Sequence, residues 1–274
     1  MKKKRESDYE KIRRLEKEGA FDVDVMEYRI DDLLPIDADY EFYCTRWQEK
    51  LARGFLMGVC FLFRRLLLNI ALGLKVRGRS NLKSVKGKGC IAVSNHCHPL
   101  DCVVMNSIRG NTNIYHTGAA FNAKADWRIT FFKALGFLPL NGTFSAQKNF
   151  NKLMEAELAK GKLVHFYPEH AMWIRYEKPR PFKKGAFRYA AKYKAPVVPV
   201  FMRWEMTPLR KFLHLKKRMV LEILPPIFPD ESIPERKCAD ILCEQAFDSM
   251  KACYESNYGV PLTYDTEKKE TRDE

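Results

Sequence analysis

Two residues with complementary chemistry stand five positions apart, His96 and Asp101, in the run Ser94-Asn95-His96-Cys97-His98-Pro99-Leu100-Asp101. A neutral imidazole, with an unperturbed pKa of about 6.5, can take a hydroxyl proton near neutral pH. A carboxylate beside it fixes the ring tautomer and stabilises the imidazolium that forms. His96 therefore reads as a general base and Asp101 as its orienting partner. The apolar run Cys90-Ile91-Ala92-Val93 comes directly before them, which puts the base at a strand end.

Two other chemistries use the same stretch. His98 and His170 could join His96 as metal ligands, with Cys97 and Cys102 close by. The His-x-His spacing lacks the second ligand cluster of a structural zinc site, so no metal is assigned. Cys97 could instead pair with the histidine as a nucleophile; against that, a cysteine in such a place commonly fills core space.

The elements that must carry these residues follow from alternating apolar runs and helical patterns. Strands are predicted at 89–94, 114–117, 163–167, 197–202 and 219–223, with a short extended segment at 137–140. Helices are predicted at 102–108, 125–135, 147–160, 185–194 and 239–254. This alternation argues for an α/β fold, a mostly parallel central sheet flanked by helices. Functional residues of such a sheet lie beyond strand C-termini, so Asn95-His96 and Pro168-Glu169 should face one crevice.

The 274 residues, 46% hydrophobic, suffice for one large domain with appendages. We expect a charged N-terminal arm over 1–50, an apolar segment over 51–76, a sheet domain over 77–262 and a charged tail over 263–274, disordered from Thr266. The arm reads as an exposed helix or a disordered basic stretch. Arg64-Arg65 splits the apolar stretch 51–74 into halves too short to span a bilayer, which needs about 20 residues. We expect helices lying in the membrane interface, a buried hairpin being the alternative. A formal charge of +14 favours a polyanionic partner, and an anionic membrane surface suits it. Nucleic acid is not expected, because no recognition motif accompanies the charge. Eight cysteines without a C-x-x-C pair, and no signal peptide, fit a reducing cytoplasm.

Four blocks in order resemble the glycerolipid acyltransferase superfamily, the glycerol-3-phosphate and lysophosphatidic-acid acyltransferases and their relatives, over about residues 80–225. The first is the Asn-His-x-x-x-x-Asp of Asn95, His96 and Asp101. The second is Gly136-Phe137-Leu138-Pro139-Leu140-Asn141-Gly142. The third is Tyr167-Pro168-Glu169-His170-Ala171-Met172-Trp173, followed by Phe182-Lys183-Lys184-Gly185-Ala186. The fourth is Ala195-Pro196-Val197-Val198-Pro199-Val200.

The resemblance implies an O-acyltransferase of phospholipid biosynthesis at the cytoplasmic face of the membrane, needing no cofactor. His96 would deprotonate the hydroxyl of a glycerol-phosphate or lysophospholipid acceptor, which attacks an acyl-CoA or acyl-carrier-protein thioester. Asn95 and Glu169 fall in the substrate site. Backbone N–H groups near Cys97–Leu100 are the expected oxyanion donors. The family's phosphate-binding arginines fall at Gly142 and Met172, and neither residue can replace a guanidinium fork. Arg175, Lys183 and Lys184, with Arg180 and Lys124, are the nearby cations that could restore a phosphate site. The altered third block also leaves open a lipid-binding or scaffold member of the same fold.

Overall fold

The computed structural model describes residues 6–26, 33–42, 72–108, 114–122, 136–140 and 142–267, with isolated positions at 47, 51, 54–55, 68 and 132–133. Among the described residues seven strands form one sheet: β1 (Lys75–Arg77), β2 (Cys90–Ser94), β3 (Ile114–Ala119), β4 (Phe137–Leu140), β5 (Leu163–Phe166), β6 (Val197–Glu205) and β7 (Arg218–Ile223). Their spatial order is β1-β7-β6-β2-β5-β3-β4. Every neighbouring pair is parallel except β6 with β7.

Central placement explains why β2 is apolar from Cys90 to Val93 and buried in all five residues, as expected of a strand covered on both faces. Its side chains alternate. Ile91 and Val93 join a core with Phe150, Met154, Phe187 and Met250, while Cys90 and Ala92 join Val104, Met105 and Val198 on the other face. Val93 lies opposite Phe166 of β5 and Pro199 of β6. The segments following β2 and β5 thus leave the sheet at one edge, which brings His96 and Glu169 together.

Among the described residues the bounded α-helices are α1 (Asp8–Lys17), α2 (Asp101–Met105), α3 (Phe144–Ala159), α4 (Gly185–Lys192), α5 (Pro208–Phe212) and α6 (Glu235–Tyr258). Differences from the predicted bounds have local causes. The Thr143 side chain caps the Ala146 N–H, starting α3 three residues before the expected Gln147. Antiparallel pairing with β7 carries β6 on to Glu205. β1 is an edge strand paired with β7, and it starts within the last two residues of the expected apolar segment, crossing into the expected sheet domain at Arg77. The expected helix over 125–135 and most of the expected interfacial segment over 51–74 lie outside the described residues. No helix among the described residues is long and apolar enough to cross a membrane.

The chain ends are integrated with the sheet domain. Ser7 and Glu10 form a capping box that starts α1. Ile12 and Leu15 of α1, with Val25, then bury against Ala171 and Trp173. At the other end, Tyr264 donates to the Pro179 carbonyl at 2.6 Å, and the Glu267 N–H donates to the Lys17 carbonyl. Described residues up to 267 therefore pack onto α1, where a disordered tail was expected from Thr266; residues 268–274 are outside the described set.

Candidate active site

Asp101 opens α2 and is buried. Its Oδ2 accepts from His96 Nδ1 at 2.8 Å, from the Cys97 N–H at 2.9 Å and from the His98 N–H at 3.0 Å. An ionised carboxylate only accepts, so the proton is assigned to Nδ1 and the lone pair to Nε2. The imidazole also stacks on Tyr167, with centroids 3.9 Å apart and planes 19° apart. His96 lines a cavity of about 330 Å³, whose walls include Tyr167, Phe137, Phe132, Met172 and Ala119. A proton acceptor thus faces a largely apolar chamber.

The expected oxyanion donors are not free. Two of the N–H groups in the turn, those of Cys97 and His98, serve Asp101; that of Leu100 donates to His98 Nδ1. Proline at 99 has none. The turn's donors are all taken within the turn, two by the carboxylate and one by the His98 ring, so Cys97–Leu100 leaves none for an oxyanion.

Behind the turn lies a buried ion pair. Glu169 Oε2 accepts from Arg180 Nε at 3.1 Å and Nη2 at 2.6 Å, and from the His96 N–H at 3.1 Å; Oε1 accepts from the Arg180 N–H at 2.8 Å. Arg180 also donates to the carbonyls of Phe21 and Ala171 and lies over the Trp173 ring. With the guanidinium fully enclosed, Arg180 is unavailable to a substrate phosphate. The Trp173 and Arg175 N–H groups meanwhile bind the His96 and Cys97 carbonyls. The segment from Glu169 to Arg180 therefore clamps the His96 turn from behind.

The remaining predicted substrate contacts are scattered. Asn95 is buried and bonds both backbone groups of Met202, at 2.8 and 2.7 Å, tying β2 to β6. Arg175 is exposed, with its guanidinium 5.7 Å from the Trp204 ring. Lys183 pairs with Asp22 and Lys184 with Asp240, both at the surface. None of these four lines the cavity, and Lys124 lies outside the described residues.

Gly142 and Met172, where the resemblance would put arginines, both meet the N-terminal segment. A Cβ on Gly142 would stand 2.5 Å from the Ile36 carbonyl oxygen, and the Thr143 N–H donates to that same oxygen. Asp24 Oδ1 accepts from the Met172 N–H at 2.9 Å, and Trp173 Nε1 donates to the Val23 carbonyl. Asp24 and Met26 consequently join the cavity wall. Nothing in the local sequence marks Asp24 for that place, because its partner Met172 lies 148 positions away.

A chain of buried histidines runs beneath the site. Ser94 Oγ is 2.8 Å from His165 Nε2, His165 Nδ1 is 3.2 Å from His116 Nδ1, and His116 Nε2 is 3.3 Å from Asn106 Oδ1. Two facing Nδ1 atoms share one proton between them, which suits two neutral rings. Burial pushes His116 down to about 3. Burial, then the charges of His116 and His96, holds His165 well below the usual histidine value.

Cys97 is buried, and burial foremost, followed by the Asp101 charge, raises its thiol well above the ordinary value. That disfavours the thiolate a nucleophile needs. Among the described residues no three His, Cys, Asp or Glu side chains group to hold a metal ion.

An acyltransferase family model matches residues 73–203, a span that includes the dyad, Glu169 and the fourth block. A 1-acyl-sn-glycerol-3-phosphate acyltransferase of Saccharomyces cerevisiae is 27% identical over 222 residues, 76% of this chain and 69% of that protein. The crystal structure of the 1-acyl-sn-glycerophosphate acyltransferase PlsC from Thermotoga maritima superposes with a TM-score of 0.52 at 17% identity, covering 80% of this chain and 86% of that one. That structural likeness carries the fold.

Proposed function

Because this chain belongs to the glycerolipid acyltransferase superfamily, we propose that it transfers a fatty acyl group from acyl-CoA or acyl-carrier protein to the hydroxyl of a lysophospholipid such as 1-acylglycerol-3-phosphate, at the cytoplasmic face of the membrane. The observation that carries the reading is the 2.8 Å contact of His96 Nδ1 with Asp101 on the wall of an apolar cavity. His96 Nε2 takes the acceptor's hydroxyl proton as the oxygen attacks the thioester carbonyl. The tetrahedral intermediate collapses with cleavage of the C–S bond, and the imidazolium returns its proton to the leaving thiolate. One ester forms, one thiol is released, and the enzyme is unchanged.

Asp101 supplies orientation and charge; Glu169 and Arg180 keep the turn in place. The apolar walls around Phe137 and Phe132 suit an acyl chain. The acceptor's polar end would meet a wall bearing Asp24 and His170, since the two family arginine positions hold Gly142 and Met172. Purified protein given acyl-CoA or acyl-carrier protein with a panel of lysophospholipids should release free thiol and yield a diacyl product by mass spectrometry. Folded protein that releases none with any pair would reject transfer in favour of a lipid-binding role.

A further inference from the structure

Beyond the sheet's catalytic edge the chain makes a short ordered projection with an unusual surface. From Met206 to Leu221 there is no acidic residue. Met206, Leu209, Phe212, Leu213 and Leu215 are all exposed, Phe212 at 79% and Leu209 at 66%, and α5 buries nothing. Lys211, Lys216 and Lys217 are exposed among them. The projection is built rather than loose. Thr207 caps the Arg210 N–H, Arg210 Nε donates to the Lys216 carbonyl at 2.7 Å, and the Leu215 N–H returns to the Arg210 carbonyl.

Its position matters as much as its composition. β6 runs parallel to β2 beside it, and Trp204 near the end of β6 lies 6.0 Å from the His98 ring. The projection follows two residues later, so it leaves the same sheet edge that carries the dyad. Large apolar side chains held in water are unfavourable unless another phase receives them. Lysines between them select a phase that carries negative charge. An acidic soluble protein would satisfy the lysines yet leave the leucines and phenylalanine without an apolar medium.

We propose that residues 206–217 are a membrane-docking surface that inserts Leu209, Phe212, Leu213 and Leu215 into an anionic bilayer and so holds the cavity at the lipid face. The surface serves the proposed acyl transfer, but its test is read without turnover. The full chain is sedimented with vesicles of phosphatidylcholine alone or mixed with phosphatidylglycerol, beside a Leu209→Ser/Phe212→Ser variant, a Lys211→Glu/Lys216→Glu variant and a Phe144→Ser control at another exposed apolar position. We expect wild type and control to bind the mixed vesicles, and both double variants to lose about tenfold or more in partitioning, with melting temperatures unchanged. Thiol release from soluble short-chain substrates should be unaffected, which separates lost docking from lost catalysis. Wild-type partitioning by the Leu209→Ser/Phe212→Ser variant, equal binding to uncharged vesicles, or loss of a dimer in place of vesicle binding would each overturn the proposal.

Discussion

The turn from Asn95 to Asp101 and the wall across the cavity from it are assembled on different length scales. In the turn, all three donors to Asp101 lie within five residues of it. In the wall, Asp24 reaches Met172 across 148 positions, and next to it Val23 reaches Trp173 across 150. The turn has the residue types the acyltransferase resemblance calls for, while the wall has Gly142 and Met172 where that resemblance would put arginines and is met there by residues 24 and 36 of the N-terminal segment. A reaction carried by a few adjacent residues can be retained while the surface that selects its acceptor is rebuilt from distant chain.

Substitutions on the two sides should separate. The largest effect is expected in the turn: Asp101→Asn removes the charge that stabilises the imidazolium and should cut thiol release by about 10²- to 10⁴-fold. Between the regions, Glu169→Gln leaves the Arg180 guanidinium buried without its counter-charge. Urea unfolding should show a loss of about 3–5 kcal/mol. A near-neutral result would mean the clamp does not hold the turn.

In the wall, Gly142→Arg restores the family's residue at a place now filled by the Ile36 carbonyl. It should cost about 1–3 kcal/mol by thermal or urea unfolding and gain no acceptor affinity. Tighter acceptor binding at undiminished stability would show that the N-terminal segment yields readily.

The buried histidines give a pH signature common to both regions. His116 is held at about 3 in the folded protein and has an ordinary value near 6.5 when unfolded. Between those values the unfolded chain binds the extra proton, so stability falls as pH drops below about 6.5. The slope is about 1.4 kcal/mol per pH unit for each such histidine. Stability measured from pH 7 to pH 4 should lose one histidine's share of that slope in His116→Asn, and an unchanged slope would mean that His116 titrates normally.

Much of the sheet was legible because its signals are local. The continuous apolar run at β2 marked a strand, His96 and Glu169 followed from what lies beyond strand ends, and Asp101 followed from its spacing to His96. The N-terminal arm was not legible: Ile12 and Leu15 are two apolar positions in a charged helix, and their burial depends on Trp173. Arg180 looked like a phosphate ligand because it is a cation close in sequence to the third block; its burial is decided by Glu169 and Phe21. Donor N–H groups at Cys97 and His98 looked free for an oxyanion because sequence does not reveal that one carboxylate oxygen takes both.

The central claim is that His96 acts as the base of acyl transfer. It is tested most directly by thiol release from His96→Ala under saturating donor and acceptor, beside its melting temperature. The account predicts a fall in kcat of about 10²- to 10⁴-fold in a protein that melts like wild type. Turnover at the wild-type rate would contradict it.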